Sequence, residues 1–362
     1  MSASAFWKVF FEVPIPKFSR ARYYDGMTKQ QVDTLKGVAI LQVVVIHLLA
    51  IFPEIWWLRS DGRAYTLVII DQLCRVSIPL FIFLSWYGLN MKYQGKPVPL
   101  LAFWQSRVIK LIPLYLVWAV GIWIVMRVVP GWGFNMDIPL YLKILLGQAD
   151  YHLYFVPLII LLYVSYGFYS YLPKTLRLLG TGVVGLLTIW WYSYLPTFRT
   201  QFTWIQPDQI QYLVPLTWFW YAWLGGVAAD FHFSHRFVER RVKRLLFVTT
   251  FCATVWLLID AYATIHGPTF VPVLLAMQFT RWPVLVFATS MILFIVSTVG
   301  HWGNGKKTLL SQVGLFSFVV FLAHTTLIRL GPAQFVHPVP INGWLFAAFI
   351  SALLFLLSYK LS

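Results

Sequence analysis

Along the chain, polar residues fall in short clusters separated by long apolar runs. Ten runs read as helices long enough to enter a bilayer: 37–53, 66–90, 108–129, 152–172, 177–195, 213–230, 245–263, 282–300, 309–329 and 343–361. A helix needs about 20 mostly apolar residues to cross a hydrocarbon core of about 30 Å. The pattern therefore predicts an all-α polytopic membrane protein of about ten transmembrane helices, forming one integral membrane domain over 1–362. Residues 1–36 form its cytoplasmic N-terminal segment. They carry six Lys or Arg but no apolar core followed by a small-residue cleavage site, so no removable signal peptide is expected and the first run is its own insertion signal. Ala5 to Val13 mixes aromatic and charged residues, which suits a short amphipathic piece on the inner interface or a disordered tail.

Composition agrees with the pattern: 59% of residues are apolar, 19% aromatic and only 11% charged, too little hydrophilic surface for a soluble globule. The net charge of +16 would suggest nucleic acid in a soluble chain. Here its distribution explains it: with residues at the run ends counted to the adjoining loops, alternate loops and the termini hold 20 Lys or Arg, the opposite set holds 7, and Arg75 lies deep inside a run. That bias places both termini in the cytoplasm of a cell-membrane protein and excludes nucleic acid as a partner in favour of anionic lipid. The densest cytoplasmic stretch, Phe231 to Arg244, reads as a topology anchor. Cys74 and Cys252 both sit in apolar runs and read as buried thiols rather than a disulfide. No Cys and His set has metal-ligand spacing.

With that orientation, the polar residues inside the runs can be placed by depth. Lys36 sits at one membrane face, and His47 lies eleven residues on, roughly 16 Å along a helix axis. An ionisable group at that depth is a functional-site hypothesis by default. Asp71 and Arg75, able to pair at i,i+4, fall at a similar level on the second run. His152 opens the fourth run near the outer surface, and His324 lies in the outer half of the ninth. One His on an apolar helix is usually a satisfied core residue, whereas several at one depth with a carboxylate and an Arg fit a water-accessible reaction site. Nearer the cytoplasm, Arg107 and Lys110 share a helix face at the level of Lys36. This patch suits an anionic, phosphate-bearing ligand; interfacial anchoring by snorkelling side chains has the same spacing. Trp56, Trp57, Trp132, Tyr151, Trp204 and Trp218 lie near the outer face, as an aromatic belt or as sugar-stacking rings.

Several of these residues carry a resemblance. Lys36 and His47 are similar to the Arg/Lys-x10-His signature of acyltransferase family 3, the integral membrane O-acyltransferases of surface glycans, and Asp33 with Gly37 resembles its Asp-x-x-Arg/Lys-Gly opening. Arg75 to Ser85 resembles the family's Val-Pro-Leu-Phe-Phe-x-x-Ser-Gly stretch, with Trp86 where Gly is usual. Arg107-x-x-Lys110 with Pro113 resembles an Arg-x-x-Arg element, Lys replacing the second Arg. His152-Leu-Tyr154-Phe155 is similar to a Leu-Trp-Phe-Leu region, and Ser317 to His324 to a Ser-x-x-x-Tyr-x-x-His ending. The five elements keep their order over about 290 residues.

The resemblance implies transfer of an acyl group, commonly acetyl, from cytoplasmic acyl-CoA to a hydroxyl of a cell-surface or lipid-linked glycan, with no metal. On this chain Lys36, Arg107 and Lys110 would hold the CoA phosphates and His47 would act as general base or nucleophile. Asp71 would orient the imidazole, Arg75 or His324 would stabilise the oxyanion, and His152 and Tyr154 would meet the acceptor. Partners implied are the glycan acceptor, membrane lipids, polysaccharide-synthesis proteins or further copies of the chain; no appended extracytoplasmic domain is expected. The alternative from the pattern alone is an exporter or flippase of a glycan or lipid-linked sugar. Transporters often show repeated halves with interrupted helices, and no internal repeat is found. A scaffold for envelope assembly has no feature in its favour.

Overall fold

The computed structural model describes residues 27–50, 62–129, 139–201, 211–231, 233, 238–266, 276–299, 308–335 and 340–361. The Ala5–Val13 segment, Trp56, Trp57, Trp132, Trp204 and part of the 231–244 stretch lie outside them. Among the described residues there is helix and no strand. In chain order the helices are α1 (Lys29–Ala50), α2 (Gly62–Cys74), α3 (Ser77–Tyr93), α4 (Leu100–Val128), α5 (Leu140–Leu145), α6 (Phe155–Tyr169) and α7 (Lys174–Gln201). They continue with α8 (Leu216–Asp230), α9 (Arg240–Ile265), α10 (Trp282–Thr298), α11 (Leu309–Leu315), α12 (Ser317–Leu330) and α13 (Ile341–Leu361).

Each predicted run contains helix, but the spans differ from the hydropathy reading. Five helical stretches are long and apolar enough to cross a membrane, or six if α11 and α12 count as one span. Among the others, α6 and α8 have 15 residues each, about 22 Å of rise against a core of about 30 Å. Hydropathy counts apolar residues whether or not they are helical, so turns such as 152–154 and 170–172 fall within the runs.

Two runs are broken rather than continuous. The second divides at Arg75 and Val76, four residues before Pro79; proline has no N–H for the Arg75 carbonyl and its ring crowds that carbonyl. The ninth bends by 88° between α11 and α12. Both halves of that bend are apolar, so the composition does not mark it. Helix α11 starts in a capping box, in which Ser311 N–H donates to Thr308 Oγ1 and Thr308 N–H to Ser311 Oγ. Helix α1 also starts earlier than its apolar run, because Thr28 and Gln31 form the same reciprocal arrangement: Thr28 N–H donates to Gln31 Oε1 and Gln31 N–H to Thr28 Oγ1.

The chain divides into two compact units. One comprises 21–91 and 221–328. In it α1 packs on α2 and α11, and α9 packs on α2 and α10. The α1–α11 crossing brings backbones into contact: a Cβ on Gly37 would overlap the Leu310 carbonyl, and one on Gly314 would overlap the Asp33 carbonyl. Gly37, the glycine of the opening motif, is therefore required by packing. Trp86 is fully buried. Cys74 is buried as expected, but Cys252 is exposed. It shares the uncovered apolar face of α9 with Phe247, Val248, Phe251 and Val255, the kind of face that a membrane-crossing helix presents to lipid.

The other unit comprises 1–20, 92–220 and 329–362. Here α4 packs on α6 and α13, with the Trp118 ring edge-on to Phe355 at 5.6 Å. Arg177, buried at the start of α7, donates to the carbonyls of Leu172, Ser170 and Gly95. It pins the 94–99 turn against the end of α6 and so fixes where α4 begins.

Candidate active site

Helix α1 carries His47 three residues before its end, half-buried. Helix α12 carries His324, which is buried. The two rings meet: His324 Nε2 lies 3.0 Å from His47 Nδ1, with centroids 4.7 Å apart and planes inclined at 52°. Backbone carbonyls one turn back assign the protons. His47 Nδ1 is 2.8 Å from Val43 O and His324 Nδ1 is 2.6 Å from Phe321 O, and a carbonyl only accepts, so each neutral ring carries its proton on Nδ1. The His47 Nδ1–H thus donates to Val43 O and, forked, to the lone pair of His324 Nε2. That arrangement leaves the basic lone pair of His47 on Nε2. If Nε2 takes a proton, the imidazolium keeps both acceptors on Nδ1, which is how a base is held in one tautomer and its charge stabilised.

Asp71 and Arg75 do pair, and they form a separate cluster in the same unit. Arg75 Nε donates to Asp71 Oδ2 at 3.0 Å and Nη2 to Oδ1 at 2.5 Å, with both side chains buried. Gln72 Nε2 donates to Asp71 Oδ2 and to Ala276 O, while Gln72 Oε1 accepts from Arg281 Nη1 at 3.3 Å. Arg281 in turn is ion-paired with Asp260 of α9, and the Phe279 ring lies under Arg75. Asp71 is thus engaged by Arg75 and Gln72, and His324 is the ring that meets the His47 imidazole at hydrogen-bond distance. Two acids and two arginines balance, which is what holding charge at such depth requires. Gln72, Asp260 and Arg281 were not singled out in the sequence. Asp260 had a usable signal, a carboxylate inside the seventh apolar run.

In the other unit, α4 places Arg107 half-buried and Lys110 exposed. The Arg107 guanidinium sits 5.3 Å from the Phe103 ring and 5.6 Å from the Tyr163 ring. Its buried Nε has no hydrogen-bond partner, nor has Trp104 Nε1 one turn earlier. Lys92, which the sequence reading missed, lies within electrostatic reach of Arg107 and Lys110. Among the described residues no carboxylate pairs with these three cations. Orphan donors on unopposed cations suit an anionic ligand. Lys36 belongs to the first unit, on α1, with the Asp33 carboxylate in electrostatic reach.

His152 and Tyr154 lie in the turn before α6. His152 Nδ1 is 3.5 Å from Asp150 Oδ2, and the Tyr154 ring stacks on Tyr212 at 5.4 Å. Asp150 accepts both Nη groups of Arg329, at 2.7 and 2.8 Å. Burial opposes its ionisation, but Arg329, His152 and the Tyr151 N–H together hold its carboxyl well below the usual carboxylate range. Of the outer aromatics within the described residues, Trp218 is buried with its Nε1 on Tyr212 O, a packing role. The Tyr151 ring lies against Arg329.

Among the described residues no group of three or more His, Cys, Asp or Glu is placed to hold a metal ion. Comparison with curated proteins and with solved structures returns no match. A family model does match: that of acyltransferase family 3, an acyltransferase domain, over residues 29–362. With nearly the whole chain covered and an imidazole pair set among its helices, the chain belongs to acyltransferase family 3.

Proposed function

We propose that the protein is a ten-span O-acyltransferase of the cell membrane, with both termini cytoplasmic. It moves an acyl group, acetyl in the first place, from acyl-CoA to a hydroxyl of a cell-surface or lipid-linked glycan. Membership in the family supports acyl transfer, and the observation that carries the assignment of chemistry is the His47–His324 pair. In this reading His47 Nε2 takes the proton of the acceptor hydroxyl as its oxygen attacks the thioester carbonyl. The C–S bond then breaks, and the CoA thiolate leaves with the proton returned by the imidazolium. His324 Nε2 accepts from the His47 Nδ1–H and shares the positive charge of the imidazolium, while the Val43 carbonyl holds the ring in its tautomer. Arg107, Lys110 and Lys92 bind the phosphates of CoA, Arg107 through its planar fork. Asp71 and Arg75 keep the region around the α2–α3 break in shape.

The test is mass spectrometry of the surface glycan from cells lacking the protein and from cells supplied with wild type or His47→Ala at matched membrane levels. The expected result is acylated glycan with wild type and unacylated glycan, in unchanged amount, with His47→Ala. Near-normal acyl content with the variant would overturn the role of His47. Loss of the glycan itself from cells lacking the protein would favour an exporter.

A further inference from the structure

Residues 146–154, between α5 and α6, form a turn held from several directions. Gly147 adopts φ +66°, and a Cβ there would overlap the backbone of Leu153 and Tyr154, so the turn folds onto its own end. Asp150 is locked by the two Arg329 bonds and by the Tyr151 N–H at 2.8 Å. The carbonyl of Arg329 is held by Gln334 Nε2. Within this rigid turn lies Gln148, 5% exposed, whose backbone N–H donates to Lys143 O. Its side-chain Nε2 and Oε1 are both buried and both lack a hydrogen-bond partner. No other buried carboxamide among the described residues has both ends unmet.

Buried polar groups are nearly always satisfied, and one left unsatisfied in a well-fixed segment calls for a missing partner. The chemistry around Gln148 narrows what that partner is. Asp150 and Arg329 neutralise each other in a bidentate pair, and Lys143, whose carbonyl accepts the Gln148 N–H, is itself buried. A carboxamide presents a donor and an acceptor side by side, which matches two neighbouring hydroxyls, one accepting and one donating. The stacked Tyr154 and Tyr212 rings and the His152 imidazole belong to the same neighbourhood.

We propose that the 146–154 turn is a polyol-recognition subsite in which Gln148 reads two adjacent hydroxyls of the glycan acceptor. The proposal rests on the acyl-transfer reading above and adds to it the residue that selects the acceptor. Gln148 touches no reacting atom in this scheme, so its loss affects acceptor affinity rather than the chemical step.

The experiment uses full-length protein in nanodiscs, acetyl-CoA as donor and, as acceptor, the polysaccharide fraction of cells that lack the protein. Gln148→Met keeps the length and shape of the side chain and removes both polar ends. Its expected effect is a rise of roughly ten- to hundred-fold in KM for the polysaccharide, the loss of two hydrogen bonds. KM for acetyl-CoA should not change, and thermal stability should be equal or higher, since an unsatisfied buried amide has been replaced by an apolar isostere. Unchanged acceptor KM in an active Gln148→Met protein overturns the proposal. If that variant does not accumulate, Gln148→Glu, which keeps the acceptors and loses the donor, is read by the same criterion. A wild type that transfers no acetyl group to the polysaccharide overturns the acyl-transfer reading, and this inference with it.

Discussion

Replacing His324 with leucine should slow turnover by roughly ten- to hundred-fold while leaving the KM for acyl-CoA unchanged. The magnitude follows from the pair geometry. In the resting state the His47 Nδ1–H is shared between Val43 O at 2.8 Å and His324 Nε2 at 3.0 Å. In His324→Leu the Val43 carbonyl remains, so the ring keeps its tautomer and its lone pair on Nε2. What disappears is one hydrogen bond to an imidazolium that exists only once the proton has moved. Hydrogen bonds to charged groups contribute about 1.5–3 kcal/mol, and each 1.36 kcal/mol is about tenfold in rate. An interaction made chiefly in the transition state shows in kcat. The assay is release of free CoA thiol by purified protein in nanodiscs, with acetyl-CoA varied at saturating polysaccharide. Activity within about twofold of wild type would remove His324 from the mechanism; loss as complete as in His47→Ala would make His324 itself a reacting base.

Arg107→Ala should raise the KM for acyl-CoA by roughly ten- to hundred-fold with little change in kcat, since a phosphate grip is alike in ground and transition states. Arg107→Lys should recover part of it, and donor titration of both variants measures the difference. Asp150→Asn leaves the partly buried Arg329 guanidinium without its carboxylate and should cost up to about 3 kcal/mol, read as a fall in thermal midpoint that an added Arg329→Met partly reverses. Because the Asp150 carboxyl is held below its unfolded value of 3.8, its stabilisation is complete above about pH 4 and lost as pH falls through the lower folded value. The difference in thermal midpoint between wild type and Asp150→Asn should therefore stay constant from about pH 5 to 8 and narrow only in stronger acid. For orientation, a cysteine placed between Phe231 and Arg244 should resist an impermeant thiol reagent in intact cells and one near Asp208 should react; the reverse pattern inverts the topology.

The linear order of apolar and polar residues was enough to place helix in every predicted run, because a chain this apolar must satisfy its backbone internally wherever it is withdrawn from water. It also singled out His47, Asp71, Arg75 and His324, since an ionisable group in an apolar run is costly wherever it ends up. The i,i+4 pairing of Asp71 with Arg75 was legible for the same reason: it is local, and a helix alone decides it. What lay outside the sequence was everything set by contact between distant segments. His47 and His324 are 277 residues apart, and their depth along separate helices did not say that they touch or that His324, not Asp71, would sit on the His47 Nδ1. Gly37 was visible as a motif position, but its necessity comes from Gly314 and the Leu310 carbonyl on another helix. The break near Arg75 had a local cause in Pro79, whereas the 88° bend before α12 had none, because hydropathy is a sum over residues and does not change when an apolar helix turns. Gln72, Asp260 and Arg281 became one network only when α2, α9 and the segment before α10 packed together. Charge at that depth is tolerable only when balanced by partners, and the partners are chosen by the packing.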